Sequence, residues 1–283
     1  MSRYEDYTSV AKSYDETRLP IGIDILRQCL ELADFPLAEM ALLDAGCGTG
    51  AYTAALAPHV GHIEAVDLSE DMLAVARAKL ADEEAVGRVA FRKASIDTLP
   101  FEAGSFDAAI INQVLHHLAD EKDASFSAHR AVIREMHRVL RPGGVLVVNT
   151  CTIEQLAYGY WYYDLVPEAR DASIRRHIPA DRLESMLADA GFEPCAPKVP
   201  EDAVMQGGAY FDPIGPLRES WRRGDSFWAL ATPDQIARAE DRVRKMLDDG
   251  TLQRWFRERD ARREGVGQFT FFPAIKRVQP SKV

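Results

Sequence analysis

Between about residues 20 and 150, short apolar runs alternate with stretches of helical periodicity, and this alternation constrains the fold more than any other feature. Strands are expected at 41–45, 62–67, 88–93, 106–112 and 145–150, with helices at 53–56 and onward, 69–80 and 127–140. In the second helix Met72, Ala76 and Leu80 recur at the spacing of one face, and Ser69 is a good N-cap. Glu70 and Asp71 then sit where the helix dipole favours acids. Strands that alternate with helices pair in parallel through right-handed crossovers, with helices on both faces.

Beyond Thr150 the pattern loosens. Residues 153–178 are rich in aromatics, with Tyr158, Tyr160, Trp161, Tyr162 and Tyr163 crowded together. A helix reads over 179–190, closed by Gly191, followed by a strand near 192–199. Residues 200–266 hold a second helical stretch, in which Thr232, Pro233 and Gln235 form a capping box and Ile236, Val243 and Leu247 supply the apolar stripe. A last strand is expected over 268–276. The expected fold is an α/β, doubly wound, Rossmann-like sheet of seven mostly parallel strands, with helical insertions forming a cap. The corresponding units are a core at 1–150, an aromatic-rich insertion at 151–178, more core at 179–199, a helical cap insertion at 200–266, and a final strand with tail at 267–283.

Composition narrows the function. The chain has 283 residues, 47% apolar, enough for a self-sufficient core. Its apolar runs fall far short of the ~20 residues of a membrane span, and its first residues lack the pattern of a signal peptide. Cys29, Cys47, Cys151 and Cys195 form no CxxC pair, so a reducing, cytoplasmic setting is expected, with Cys47 and Cys151 packing rather than reacting. No metal-ligand set is apparent. Residues 1–150 carry a net charge of −9 and residues 151–283 a net of −1. An acidic front half disfavours nucleic acid, whose binding rests on cationic side chains meeting phosphates.

The first strand runs into Asp44-Ala45-Gly46-Cys47-Gly48-Thr49-Gly50, a glycine-rich turn at the carboxyl end of the sheet, where open α/β sheets bind ligands. Dinucleotide loops read GxGxxG; this one reads GxGxG after an acid, and a carboxylate suits an ammonium better than a pyrophosphate. Asp67 closes the second strand 17 positions beyond Gly50, where an acid can accept both ribose hydroxyls. The 141–144 Arg-Pro-Gly-Gly stretch reads as a structural turn into the fifth strand.

Taken together, DAGCGTG, EAVDLSEDML, SIDTLPF, FDAAIINQVLHHL and REMHRVLRPGGVLVV resemble the class I S-adenosylmethionine-dependent methyltransferases, with the closest likeness to the ubiquinone/menaquinone-biosynthesis-like, small-molecule branch. The resemblance implies S-adenosyl-L-methionine as cofactor and S-adenosyl-L-homocysteine as product. It casts Asp44 as the acid that orders the glycine loop or meets the methionine ammonium, with Gly46 and Gly48 against the ligand. Asp67 falls on the ribose acid, and Leu68 and Met72 on the residues flanking adenine. Ser95 and Ile96 fall where the adenine edge is read. The family often has Asp at Ser95, so the hydroxyl or Asp97 makes that contact. Asn112 falls near the methyl donor, and Tyr14 and Arg18 on an N-terminal element that covers the cofactor.

Methyl transfer is an in-line displacement, so alignment and exclusion of water come first, and a hydroxyl or ammonium acceptor also needs a base. His117 and His116, just after the fourth strand, are the candidate bases, with His177 a further one. The expected partner is a small-molecule methyl acceptor, without nucleic acid or membrane, for a monomer or homodimer. The aromatic-rich insertion (158–163) and the 200–266 stretch, with Tyr210, Phe211, Trp221, Phe227 and Trp228, are expected to wall the acceptor pocket; burial in a dimer interface or simple packing would serve them equally. Rival functions are a non-catalytic S-adenosylmethionine-binding module, a nicotinamide oxidoreductase, and a methyltransferase of RNA or protein.

Overall fold

The computed structural model describes residues 20–120, 123 and 125–277. Seven strands form one sheet in the order β3-β2-β1-β4-β5-β7-β6. They are β1 (Ala41–Ala45), β2 (His62–Asp67), β3 (Val89–Lys93), β4 (Phe106–Asn112), β5 (Leu140–Thr150), β6 (Phe192–Pro194) and β7 (Thr270–Lys276). All neighbours from β3 to β5 are parallel, and β7 runs antiparallel between β5 and β6. The strand order therefore reverses between β1 and β4, each parallel to the other.

Among the described residues the helices are α1 (Ile23–Leu30), α2 (Ala51–Leu56), α3 (Glu70–Lys79), α4 (Ala81–Ala85), α5 (Ser127–Val139), α6 (Ile153–Tyr158), α7 (Pro167–Arg176), α8 (Ala180–Asp189), α9 (Glu219–Arg222), α10 (Pro233–Asp248) and α11 (Leu252–Arg263). Ser69 caps α3 by accepting from the Met72 amide, and α10 opens on the expected capping box of Thr232 and Gln235.

Alternation along the buried strands sends neighbouring side chains to opposite layers. Leu42, Ala108, Ile110, Val145 and Val147 pack with α1, α2 and the aromatic insertions. Leu43, Ala109, Ile111, Leu146 and Val148 pack with α5 and α8. Both insertions thus fold onto one face of the sheet within a single chain. No helix among the described residues is long and apolar enough to cross a membrane.

Three local expectations are corrected. Residues 141–144 are not a turn before the fifth strand but part of it: Leu140 already pairs with Phe106, and the register then shifts before Ala108. The Arg141 guanidinium on the Asp107 carboxylate, together with Gly143 at φ 81°, accommodates that irregularity. The strand expected over 192–199 stops at Pro194: past the Cys195 amide, which still donates to Pro273 O at 2.8 Å, the chain rejoins β7 at an isolated bridge between Lys198 and Phe271. In α10 the buried stripe is Ala239, Val243 and Met246, at steps of four and three, which turns Leu247 outward to 50% exposure.

Candidate active site

The carboxyl ends of β1, β2 and β4, with the loop after β3, converge on a cleft with a volume of about 180 Å³. It lies at the reversal of strand order, where doubly wound sheets take their ligands. The turn after β1 is pinned to β2, since the amides of Gly46 and Cys47 both donate to Val66 O at 2.8 and 2.9 Å. Gly46 has φ 87°, and a Cβ there would lie 2.6 Å from Val114 Cγ2, so only glycine fits. At Gly48 (φ 54°) a Cβ would meet nothing within 4 Å.

Asp67 ties that turn to α3. Its two carboxylate oxygens accept from the amides of Gly48 and Ser69, each at 2.9 Å. Burial pushes its carboxyl above the usual range, and those amide bonds oppose the shift. Leu68 and Met72 stand beside it on the cleft wall. Ser95, Ile96 and Asp97 line the same cleft; Ser95 pairs with Thr98 in a tight bridge that presents the loop. Asn112 completes the wall, and both atoms of its side-chain amide are buried without a hydrogen-bond partner among the described residues. An amide left this way is costly unless a ligand meets it.

Asp44 does not line the cleft. It is buried behind the turn, where its carboxylate accepts from Thr53 Oγ1 of α2 at 2.6 Å. Burial raises its pKa to about 7, the Thr53 bond pulls it down, and neighbouring Asp67 pushes it up. Its visible contact is with the loop's own helix. Tyr14 and Arg18 lie outside the described residues.

A second, smaller cavity of about 50 Å³ adjoins the cleft, and Gln113 and His117 line both. His116 and His177 belong to the second cavity alone and stack at 4.9 Å, while His116 and His117 lie 4.0 Å apart between ring centroids. The short 3₁₀ turn Leu115–Leu118 carries two of these rings, and buried His129 of α5 holds it through Leu115 O at 2.9 Å. His177 Nδ1 lies 2.8 Å from Ser173 O. A carbonyl only accepts, so Nδ1 carries the proton and Nε2 keeps its lone pair. Burial lowers the His177 pKa to about 4, which leaves the ring neutral near pH 7.

Both insertions wall this cavity. Tyr160 and Tyr163 come from the first, and Met205, Gln206, Asp225 and Phe227 from the second. The three rings form a tower: Tyr160 on Tyr163 at 4.5 Å and Tyr163 on Phe227 at 3.8 Å, nearly parallel. The aromatic run from Tyr158 to Tyr163 is therefore divided. Tyr158 is exposed at 47%. Trp161 and Tyr162 line neither of these cavities; they are fully buried where the two insertions pack together, with Trp161 Nε1 donating to Tyr210 O at 2.8 Å and Tyr162 donating to the Asp225 carboxylate. Gln113, Asp225, Ser173 and Arg176 line the second cavity without any sequence signal. Gln113 in particular adopts φ 53°, a conformation nothing in a glutamine codon position announces.

The fold is an α/β sheet of the doubly wound class with two adjoining cavities, and residues 43–148 match the model of the methyltransferase domain. Over these residues the chain is similar to the class I S-adenosylmethionine-dependent methyltransferases. It is 36% identical over 173 residues to the ubiquinone/menaquinone biosynthesis C-methyltransferase of Vibrio parahaemolyticus, covering 54% of this chain and 64% of that one. The counterpart from Yersinia pestis is 34% identical over 173 residues, covering 54% and 66%. The chain thus spans just under two thirds of the length of these curated relatives. A crystal structure from Anabaena variabilis, of a protein assigned to methyl transfer in an antibiotic biosynthesis pathway, is 25% identical with a TM-score of 0.72, covering 92% of this chain and 98% of that one. The [4+2]-cyclase SpnF, 19% identical with a TM-score of 0.59 over 96% and 95% of the two chains, shares the fold alone.

Proposed function

We propose that the chain is an S-adenosylmethionine-dependent methyltransferase of a small organic molecule, with the cofactor in the first cleft and the methyl acceptor in the second. The observation that carries it is the meeting of the two cavities at Gln113 and His117. When bound, S-adenosylmethionine supplies an electrophilic methyl group on a sulfonium. The residues fit such a ligand: Asp67 offers a carboxylate for ribose hydroxyls, Gly46 and Gly48 admit close approach, Leu68 and Met72 give apolar flanks, and Ser95, Ile96 or Asp97 meets the adenine edge. Asn112, with its unpartnered amide, offers a donor and an acceptor to the amino-acid end. Asp44 orders the loop through Thr53.

On the acceptor side the ring tower and the cap exclude water, and orientation of this kind supplies about 7–11 kcal/mol toward the barrier. His117, at the junction, is the candidate to take a proton from the acceptor, and His116 the alternate. Neutral His177 stacks on His116 and keeps a second imidazole lone pair in the cavity. A cytoplasmic setting fits the four free cysteines.

Calorimetry with S-adenosylmethionine, S-adenosylhomocysteine and NAD, followed by mass spectrometry over a panel of small hydroxylated, amine and carbon-acid acceptors, tests this. The expected result is binding of the two adenosyl compounds, none of NAD, and a product heavier by one methylene. Binding without turnover over the whole panel would point to a non-catalytic binding module.

A further inference from the structure

Gln113 is one of two residues other than glycine with positive φ among the described residues. Such a conformation persists when the surroundings over-determine it. Here a single residue of β5 does so: the Gln113 amide donates to Asn149 O at 2.9 Å, and its Nε2 donates to Asn149 Oδ1 at 3.0 Å. These bonds place the side chain at the boundary of the two cavities.

The bonds around it all run in one direction. Cys151 Sγ donates to Gln113 Oε1 (3.7 Å), Gln113 to Asn149, Asn149 Nδ2 to the Tyr52 hydroxyl (3.4 Å), and that hydroxyl to Ile21 O (3.1 Å). On the other side the Cys151 sulfur is 3.5 Å from the Tyr160 hydroxyl, which touches Met205 Sδ and Gln268 O at 3.0 Å. Donors and acceptors aligned in this way polarise one another. The chain starts in the wall of the acceptor cavity, passes the cofactor cleft at Gln113, and ends on α2 and the segment before α1.

We propose that Gln113 is a positioning residue that couples the two cavities: a ligand in the cofactor cleft fixes its side chain, which through Cys151 and Tyr160 tightens the cap wall around the acceptor. Cofactor then prepares the acceptor cavity before the acceptor arrives. This rests on the reading of the first cleft as the cofactor site, and the test separates the two.

Amide hydrogen exchange of the full chain is followed with and without saturating S-adenosylhomocysteine, so that differences in affinity do not enter. In the wild type, exchange slows at 46–50, 67–72 and 95–97 and also in the cap at 160–163 and 205–206, there by about fivefold or more, the low end of ordinary coupling between sites. Gln113→Gly keeps the backbone conformation at no steric cost and removes the side chain; protection of the cleft persists and that of the cap disappears. Cys151→Val breaks the same chain from the acceptor side without touching β4, with the same result. Cys151→Ser restores a donor and restores cap protection. Cap protection that survives both Gln113→Gly and Cys151→Val, or is absent from the wild type while the cleft is protected, overturns the coupling. Absence of protection anywhere removes the cofactor assignment and the coupling with it.

Discussion

The proposed cofactor cleft and the proposed acceptor cavity are built in opposite ways. The cleft is made at strand ends, from backbone amides, glycines at positive φ and one carboxylate that ties two loops together; its parts lie within some seventy residues of chain and in fixed order. The acceptor cavity is made from side chains of two insertions and the turn after β4, held by ring stacking and a buried cap core. A site made from backbone geometry has few sequence solutions and leaves a motif. A site made from packed rings has many, and can change its ligand without disturbing the other.

Breaking the cap should therefore cost stability first. Trp161 meets Tyr162, Trp221, Trp255 and Phe256 with ring centroids between 5.3 and 6.0 Å, and it is fully buried. Trp161→Ala should lose about 3–5 kcal/mol, read as a lower denaturation midpoint; a midpoint equal to wild type would mean that the cap contributes no core.

The next effect depends on pH. His177 titrates near 4 in the fold against an ordinary 6.5. Its neutral form is favoured, so its contribution is complete above pH 6.5 and is lost as pH falls toward 4. The full difference is about 3 kcal/mol. His177→Gln should flatten stability across that window and leave cofactor affinity at pH 7 near wild type. An unchanged slope would place the acid sensitivity elsewhere.

On the cofactor side, Asp67→Ala should weaken S-adenosylhomocysteine by about 1.5–3 kcal/mol, the range for a charge-assisted hydrogen bond. Calorimetry on the folded variant checks it, and equal affinity would remove Asp67 from the ribose contact. The smallest effect is expected at the adenine edge. Ser95→Ala should cost about 0.5–1.5 kcal/mol of the same affinity, and Asp97→Asn on top of it should cost more; no change from either leaves adenine to the backbone.

That contrast also explains what was legible in the sequence. Strand and helix periodicity located the sheet, because burial on both faces forces apolar runs such as 106–112. The glycine turn, Asp67 and the 95–97 loop could be read because each position accepts few residue types. The sequence leaves the role of Asp44 open between loop and ligand, and the fold adds its bond to Thr53. The cap was read as aromatic, but sequence could not divide its rings: Trp161 and Tyr163 look alike in the chain, yet one lies in the core and the other on the cavity wall. Leu247 faces outward in α10 because the helix turns a different stripe inward, and Gln113 carries no sequence signal because its conformation lies in a backbone angle and its partner 36 positions later.

A crystal structure with S-adenosylhomocysteine bound tests the division of labour most directly. The account predicts ribose on Asp67, adenine between Leu68, Met72 and the 95–97 loop, and the sulfur at the Gln113–His117 boundary facing the second cavity. A ligand with its sulfur turned away from that boundary, or one seated among Tyr160, Tyr163 and Phe227, would contradict it.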